Sequence, residues 1–201
     1  MSLFHRRLLV VIVILVLISH IGYRTLQAQT NDSARIAAAV LPLPEQMRSG
    51  ATVVSQADDG TIVVLRNGSN GQVCRNDSTK ETFIAYCVHQ SFFSLLKRAG
   101  ELSKQLSSPD TGKVVADAMD KEIKAGKLTL PTQPIMMFML EGPISGYSPA
   151  TNTVNAELKR FQMVHVPYTT GKALALPEQP SVGMAWVMAS GTWLAHIMIE
   201  H

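Results

Sequence analysis

From residue 51 onward the chain alternates between short β-branched runs and breaks rich in glycine, asparagine and aspartate. ATVVSQ-ADDG-TIVVLR (51–66) sets two such runs on either side of a turn sequence and predicts a β-hairpin. NGSNG (67–71) is a second turn, leading into a strand that carries Cys74. FIAYCVH (83–89) is extended in character. Upstream, Asp32 and Ser33 can cap a short helix through Val40, and Pro44 can open another that stops at Gly50. The period changes at SFFSLLKRAGELSKQL (91–106), where Phe92, Leu95, Leu96 and Leu102 fall near helical spacing. Ser108-Pro109-Asp110 then starts KVVADAMDKEIKAG, a helix closed by Gly126.

The last third returns to strands. PIMMFML (134–140), RFQMVHVPY (160–168), VGMAWVMA (182–189) and TWLAHIMIE (192–200) have β-rich composition with Gly or Pro punctuation. Helices concentrate in the middle and strands at both ends. That segregation predicts an α+β fold, a mostly antiparallel sheet with two or more central helices packed on it, rather than βαβ winding. In the final strand, alternation puts Trp193, Ala195, Ile197 and Ile199 on one face, and Leu194, His196, Met198 and Glu200 on the other. The Trp and Ile face is the more apolar, so it is expected to meet the core and leave His196 on the wetter side.

The N-terminus changes where this domain is expected to work. Arg6 and Arg7 precede Leu8–Ile18, an unbroken run of eleven apolar residues. A spanning helix needs about 20 such residues and a signal-peptide core about 7–15. Residues 1–28 therefore read as a signal peptide, with Leu26-Gln27-Ala28 as the cleavage site. The rival is an N-terminal membrane anchor, since the segment extended to Tyr23 with tilt nearly spans. Either way residues 29–201 are expected as a single exported domain, periplasmic or secreted, or tethered by an uncleaved segment.

Charge follows from that division. Of 18 Lys and Arg, three (Arg6, Arg7, Arg24) precede residue 29, whereas none of the 15 Asp and Glu does, so 15 of each remain. The basic excess belongs to the targeting segment, and no basic stripe suggests a nucleic-acid partner. A membrane partner is expected only if the segment stays attached. Charged residues are 16% of the chain, below the usual ~25%, which suits an exported protein with a neutral polar surface. In an oxidising compartment Cys74 and Cys87, thirteen positions apart, read as one disulfide. Their spacing lacks the C-x2-C hooks of zinc sites and the C-x-x-C of redox catalysts.

LRNGSNGQVC (65–74) and ASGTWLAHIMIE (189–200) resemble segments of uncharacterised exported bacterial proteins that carry L-R-x-G-x-N-G-x-x-C and a late A-H-x-M. The resemblance implies secretion and a shared fold. It implies no activity and transfers no catalytic residue.

Candidate chemistry is sparse. There is no H-E-x-x-H, and HIMIEH is one residue too long for H-x-x-E-H. Ser145 and Ser190 lack the G-x-S-x-G frame, and Gly112-Lys113 and Gly171-Lys172 lack the upstream glycine of a phosphate loop. Asp58-Asp59 sits in a turn and reads as solvent-facing. No catalytic residue is assigned, and no organic cofactor is expected. The reading is a binding or accessory protein for an unknown ligand or protein partner. The alternative from another class is a hydrolase with a Ser or His site near His165 and His196.

One pattern stands out. Met137-Phe-Met139, Met163-Val-His165 and His196-Ile-Met198 repeat a period-two spacing, and Met184 and Met188 keep that parity on the strand between. On a strand, i and i+2 share a face, so each segment offers two soft or borderline donors side by side. Thioether with imidazole suits a copper or silver ion in the monovalent state, Cu(I) or Ag(I). His165, His196, Met163 and Met198 are the candidate metal ligands, provided their strands are neighbours. The competing account is plain packing, because methionine fills gaps in cores and a sheet under helices buries alternate residues anyway.

Overall fold

The computed structural model describes residues 32–57, 59–105, 111–180 and 183–200. The predicted export segment and His201 lie outside them. Two short helices, α1 (residues 32–39) and α2 (Glu45–Arg48), lead into four strands: β1 (Thr52–Gln56), β2 (Ile62–Arg66), β3 (Gln72–Asn76) and β4 (Thr82–His89). Helix α3 (Gln90–Gln105) leaves β4 without a loop, and α4 (Thr111–Lys124) follows it. The chain returns through β5 (Ile135–Pro143), a 3-10 turn (Ile144–Gly146), the short pair β6 (Tyr147–Ser148) and β7 (Thr153–Val154), and β8 (Lys159–His165). It closes with α5 (Gly171–Leu174), β9 (Trp186–Met188) and β10 (His196–Glu200). Eight strands form one sheet in the order β2-β1-β3-β4-β5-β8-β10-β9, antiparallel throughout except for β1 with β3. The expected α+β fold is the one observed.

The hairpin read from residues 51–66 is present, with Val54 opposite Val64 and Gln56 opposite Ile62. The second turn does something else. Instead of folding β3 back beside β2, residues 67–71 carry the chain across the start of β1 so that β3 runs parallel to β1 on its other side. The motif LRNGSNG supplies the contacts for that crossing. The backbone N–H groups of Ser69 and Asn70 both donate to the Gly50 carbonyl, at 2.7 and 3.0 Å. Asn70 Nδ2 donates to Met47 O at 2.8 Å, and Arg66 Nε donates to Ala51 O at 3.1 Å. At Gly68 a Cβ would stand 2.2 Å from the Thr52 backbone nitrogen, so the crossing needs glycine there. Arginine also serves the irregular, buried stretch 41–43, whose carbonyls have no strand partner. Arg48 Nε donates to Leu43 O at 2.9 Å, and Arg160 Nη1 donates to Pro42 O at 2.9 Å.

Adjacent residues of β4 mark the two faces of the sheet. Cys87 packs with Ala39, Val40, Leu43, Val53 and Cys74 under the N-terminal helices. Val88 packs with Phe92, Leu95, Leu102, Met119 and Trp193 under α3 and α4. Cys74 and Cys87 are register partners and form a disulfide, with S–S 2.05 Å. Their Cα atoms are 4.0 Å apart, closer than the roughly 4.4–6.8 Å usual for disulfides, because the residues face each other directly across two adjacent strands. Helices α3 and α4 are clamped by Arg98, whose Nε and Nη2 donate to Glu122 at 2.9 and 2.6 Å. Gly126, at φ +71°, ends the helical turn after α4 as anticipated.

The C-terminal strands are shorter than their composition suggests. Within residues 182–189 the described strand covers Trp186–Met188, and β10 starts only at His196. Residues 191–195 form a compact turn in which Thr192 Oγ1 donates to Ala189 O at 2.7 Å and Ala195 N donates to Thr192 O at 3.1 Å. Alternation therefore cannot be counted through from Trp193. Trp193 and Ala195 are buried from the turn, and His196 and Met198 are buried from the strand, while Ile197 and Ile199 are half-buried on the opposite side. The expectation of an outward His196 is corrected: the turn resets the parity.

Candidate functional site

The helix-covered face of the sheet carries the soft donors in two rows. Register pairs Met137 with Met163 and Met163 with Met198 across β5, β8 and β10. One step along, Ile135 pairs with His165, His165 with His196, and His196 with Met188 of β9. Cross-strand partners place their Cβ atoms about 4.5–5.5 Å apart, and i,i+2 neighbours stand about 6.5–7 Å apart along a strand. Met163, His165, His196 and Met198, taken from two segments thirty residues apart, thus occupy the corners of one small rectangle. The side chains of all four are buried. Met139 lies one step further out, opposite Phe161.

The two imidazoles differ in their surroundings. The His165 ring lies 4.2 Å from Phe92 and 5.0 Å from His196, centroid to centroid. It is 2% exposed, and among the described residues neither Nδ1 nor Nε2 has a hydrogen-bond partner. The indole Nε1 of Trp193, whose ring is 6.1 Å from Phe92, is likewise buried without one among those residues. Leaving a buried polar group unpaired costs about 1–3 kcal/mol, so this corner lowers the stability of the fold. His196 is tied down: its Nδ1 lies 2.7 Å from the Leu194 carbonyl. A carbonyl only accepts, so Nδ1 carries the proton and the Nε2 lone pair is free. A backbone carbonyl fixing one ring nitrogen while the other stays available is the usual support for a metal-binding histidine.

Burial drives both rings toward the neutral form. Removal from water, with His196 as a lesser contributor, pushes His165 down to about 3. His196 is also lowered by burial, opposed by its bond to Leu194. Neutral imidazoles are the form that coordinates metal. Among the described residues no group of three or more His, Cys, Asp and Glu comes together. The donors gathered here are imidazole and thioether, a set suited to a soft monovalent ion rather than to zinc, calcium or magnesium.

A second histidine contact has a simpler role. His89 Nδ1 is 2.8 Å from Ser91 Oγ, but the Ser91 backbone N–H also points at it, at 3.3 Å. His89 therefore caps the first turn of α3. It lines, with Gln72 and the segment Leu130–Met136, a surface cleft of about 650 Å³. Ser190 is engaged in the loop that holds α5, donating to Glu178 at 2.7 Å. Sequence reading did not anticipate Phe92 as the ring against His165, since its approach depends on α3 folding back over the sheet. The register of His196 with Met188 was foreshadowed only by shared parity.

The chain matches no known protein family, no curated protein and no solved structure.

Proposed function

We propose that this is an exported, non-enzymatic binding protein whose ligand is a soft monovalent ion, Cu(I) or Ag(I), held by His165, His196, Met163 and Met198. The observation that carries the reading is the register of β8 with β10, which sets His165 against His196 and Met163 against Met198, with both His165 nitrogens buried and unpartnered among the described residues. Neutral ligands leave a bound ion with a single net charge, the least costly cation to bury. Export rests on the Leu8–Ile18 run and is supported by the disulfide, which suits an oxidising compartment. In such a compartment thioethers bind soft metal without being consumed by disulfide formation.

The chain has two tryptophans, and both flank the site: Trp186 is the register partner of Met198, and Trp193 packs near Phe92. Titrating the disulfide-bonded protein with Ag(I) in chloride-free buffer should therefore change tryptophan fluorescence and saturate at one ion per chain. Met163→Leu and His165→Leu should abolish saturation, and Zn(II) should not compete. A flat Ag(I) titration, or one unaffected by both substitutions, would refute the site.

A further inference from the structure

Resting on that reading of the His165–His196 pair, we propose that Met188 is the capture and release ligand of the site, the thioether through which the ion enters and leaves. The four inner donors are closed off, with His165 at 2% and His196 at 7% exposure, whereas Met188 is 46% exposed. It sits on β9, the edge strand of the sheet, and is the register partner of His196 on the same face. His196 therefore has His165 on its inner side and Met188 on its outer side. An ion on His196 Nε2 is within reach of either neighbour without that bond being broken.

The local fold holds Met188 in this place. Ala189, at φ +53°, and Gly191, at φ +72°, turn the chain sharply just after it. Thr192 closes that turn on the Ala189 carbonyl, and β10 then begins at His196. Beyond β9, Val187 N donates to Pro177 O at 2.8 Å, which fixes the short strand from its far side. Exchange would run by ligand replacement: an incoming donor binds the ion, the Met188 sulfur leaves, and His196 follows. The ion stays monovalent throughout, and no proton is lost from a thioether.

The test compares wild type, Met188→Leu and Met136→Leu, loaded anaerobically with Cu(I) under ascorbate and challenged with the chromogenic chelator bathocuproine disulfonate. Met136 is the control, because it pairs with Val164 on the opposite face of the sheet. All three proteins should hold one ion, with Met188→Leu loading and releasing it about tenfold more slowly and Met136→Leu matching wild type. Wild-type exchange rates in Met188→Leu would overturn the proposal while leaving the inner site standing. Complete loss of binding in Met188→Leu would also overturn it, making Met188 an obligatory ligand. A wild type that takes up neither Cu(I) nor Ag(I) would remove the site itself, and this role with it.

Discussion

His165 and His196 face each other across β8 and β10 with their ring centroids 5.0 Å apart, both buried and both held toward neutrality. That relationship joins the fold to pH. His165 takes a proton near 6.5 when unfolded and near 3 when folded. Between those values the unfolded chain binds a proton that the folded chain refuses. The contribution is therefore intact above about pH 6.5 and lost progressively as pH falls through that window.

Between pH 7 and pH 5 the metal-free protein should lose about 2 kcal/mol from His165 alone. Carboxylates such as Glu122 and Glu178, lowered by their hydrogen bonds, contribute mainly at lower pH. Chemical denaturation of wild type and His165→Leu at the two pH values tests the assignment. An equal loss in both proteins would mean that His165 is not the source.

Metal binding should respond to pH differently. Because His165 stays neutral into acid and burial also favours the neutral form of His196, Ag(I) affinity should fall less between pH 7 and 5.5 than for an exposed histidine. A loss of about tenfold for each pH unit, as for an exposed histidine, would place the bound ion elsewhere.

Another expectation concerns the crossing at residues 67–71. Gly68→Ala drives a methyl into backbone and should cost about 2–4 kcal/mol. Gly100→Ala, in the middle of α3 with open space around its Cα, should instead stabilise by about 0.5–1 kcal/mol. Thermal melts of the two variants should move in opposite directions, and a tolerated Gly68→Ala would contradict the close approach.

Reducing the Cys74–Cys87 bond should lower stability by roughly 3 kcal/mol in the chain-entropy model without loss of the sheet. The reason is that the bond joins strands already paired over Gln72–Asn76. Unfolding with and without reductant gives the difference, and circular dichroism of the reduced form reports the sheet. Thiols that titrate freely in the native oxidised protein would exclude the bond.

What could be read without coordinates divides along physical lines. Local signals carried: alternation in TVVSQ and TIVVLR, helical spacing in SFFSLLKRAGELSKQL and the glycine at 126 each act within one turn or strand, and each element formed. One reading failed, and one stayed incomplete, where a local signal met a non-local demand. NGSNG has the composition of a hairpin turn, yet Arg66 and Asn70 reach back to carbonyls near residue 50 and route the chain across β1. TWLAHIMIE looks like one continuous strand, but Gly191 and Thr192 curl it through Ala195, and a shift of one residue in parity exchanges the faces. The period-two Met and His pairs were visible along the chain. That β8 and β10 are neighbours, in the register that aligns histidine with histidine, is information held only by the sheet.

The N-terminal expectation is a separate experiment. If residues 1–28 are a signal peptide, the exported protein should begin close to Gln29, as read by intact mass. A membrane-pelleting species that still starts near Met1 would identify the anchored form instead.

The buried setting of His196 changes what its removal should do. On a wet face, His196→Ala would disturb only ligand binding. At 7% exposure, the substitution also leaves a cavity beneath the helices and strips the Leu194 carbonyl of its 2.7 Å partner. A loss of about 1–3 kcal/mol is therefore expected in the metal-free protein. Ag(I) should protect wild type against unfolding, by roughly 2–4 kcal/mol at concentrations a hundred- to a thousandfold above its dissociation constant. It should give His196→Ala no protection. His196→Gln, which retains side-chain donors within the pocket, should recover part of the stability but none of the protection. Denaturation of the three proteins with and without Ag(I) separates the two roles. Equal protection of all three would show that His196 belongs to the core alone.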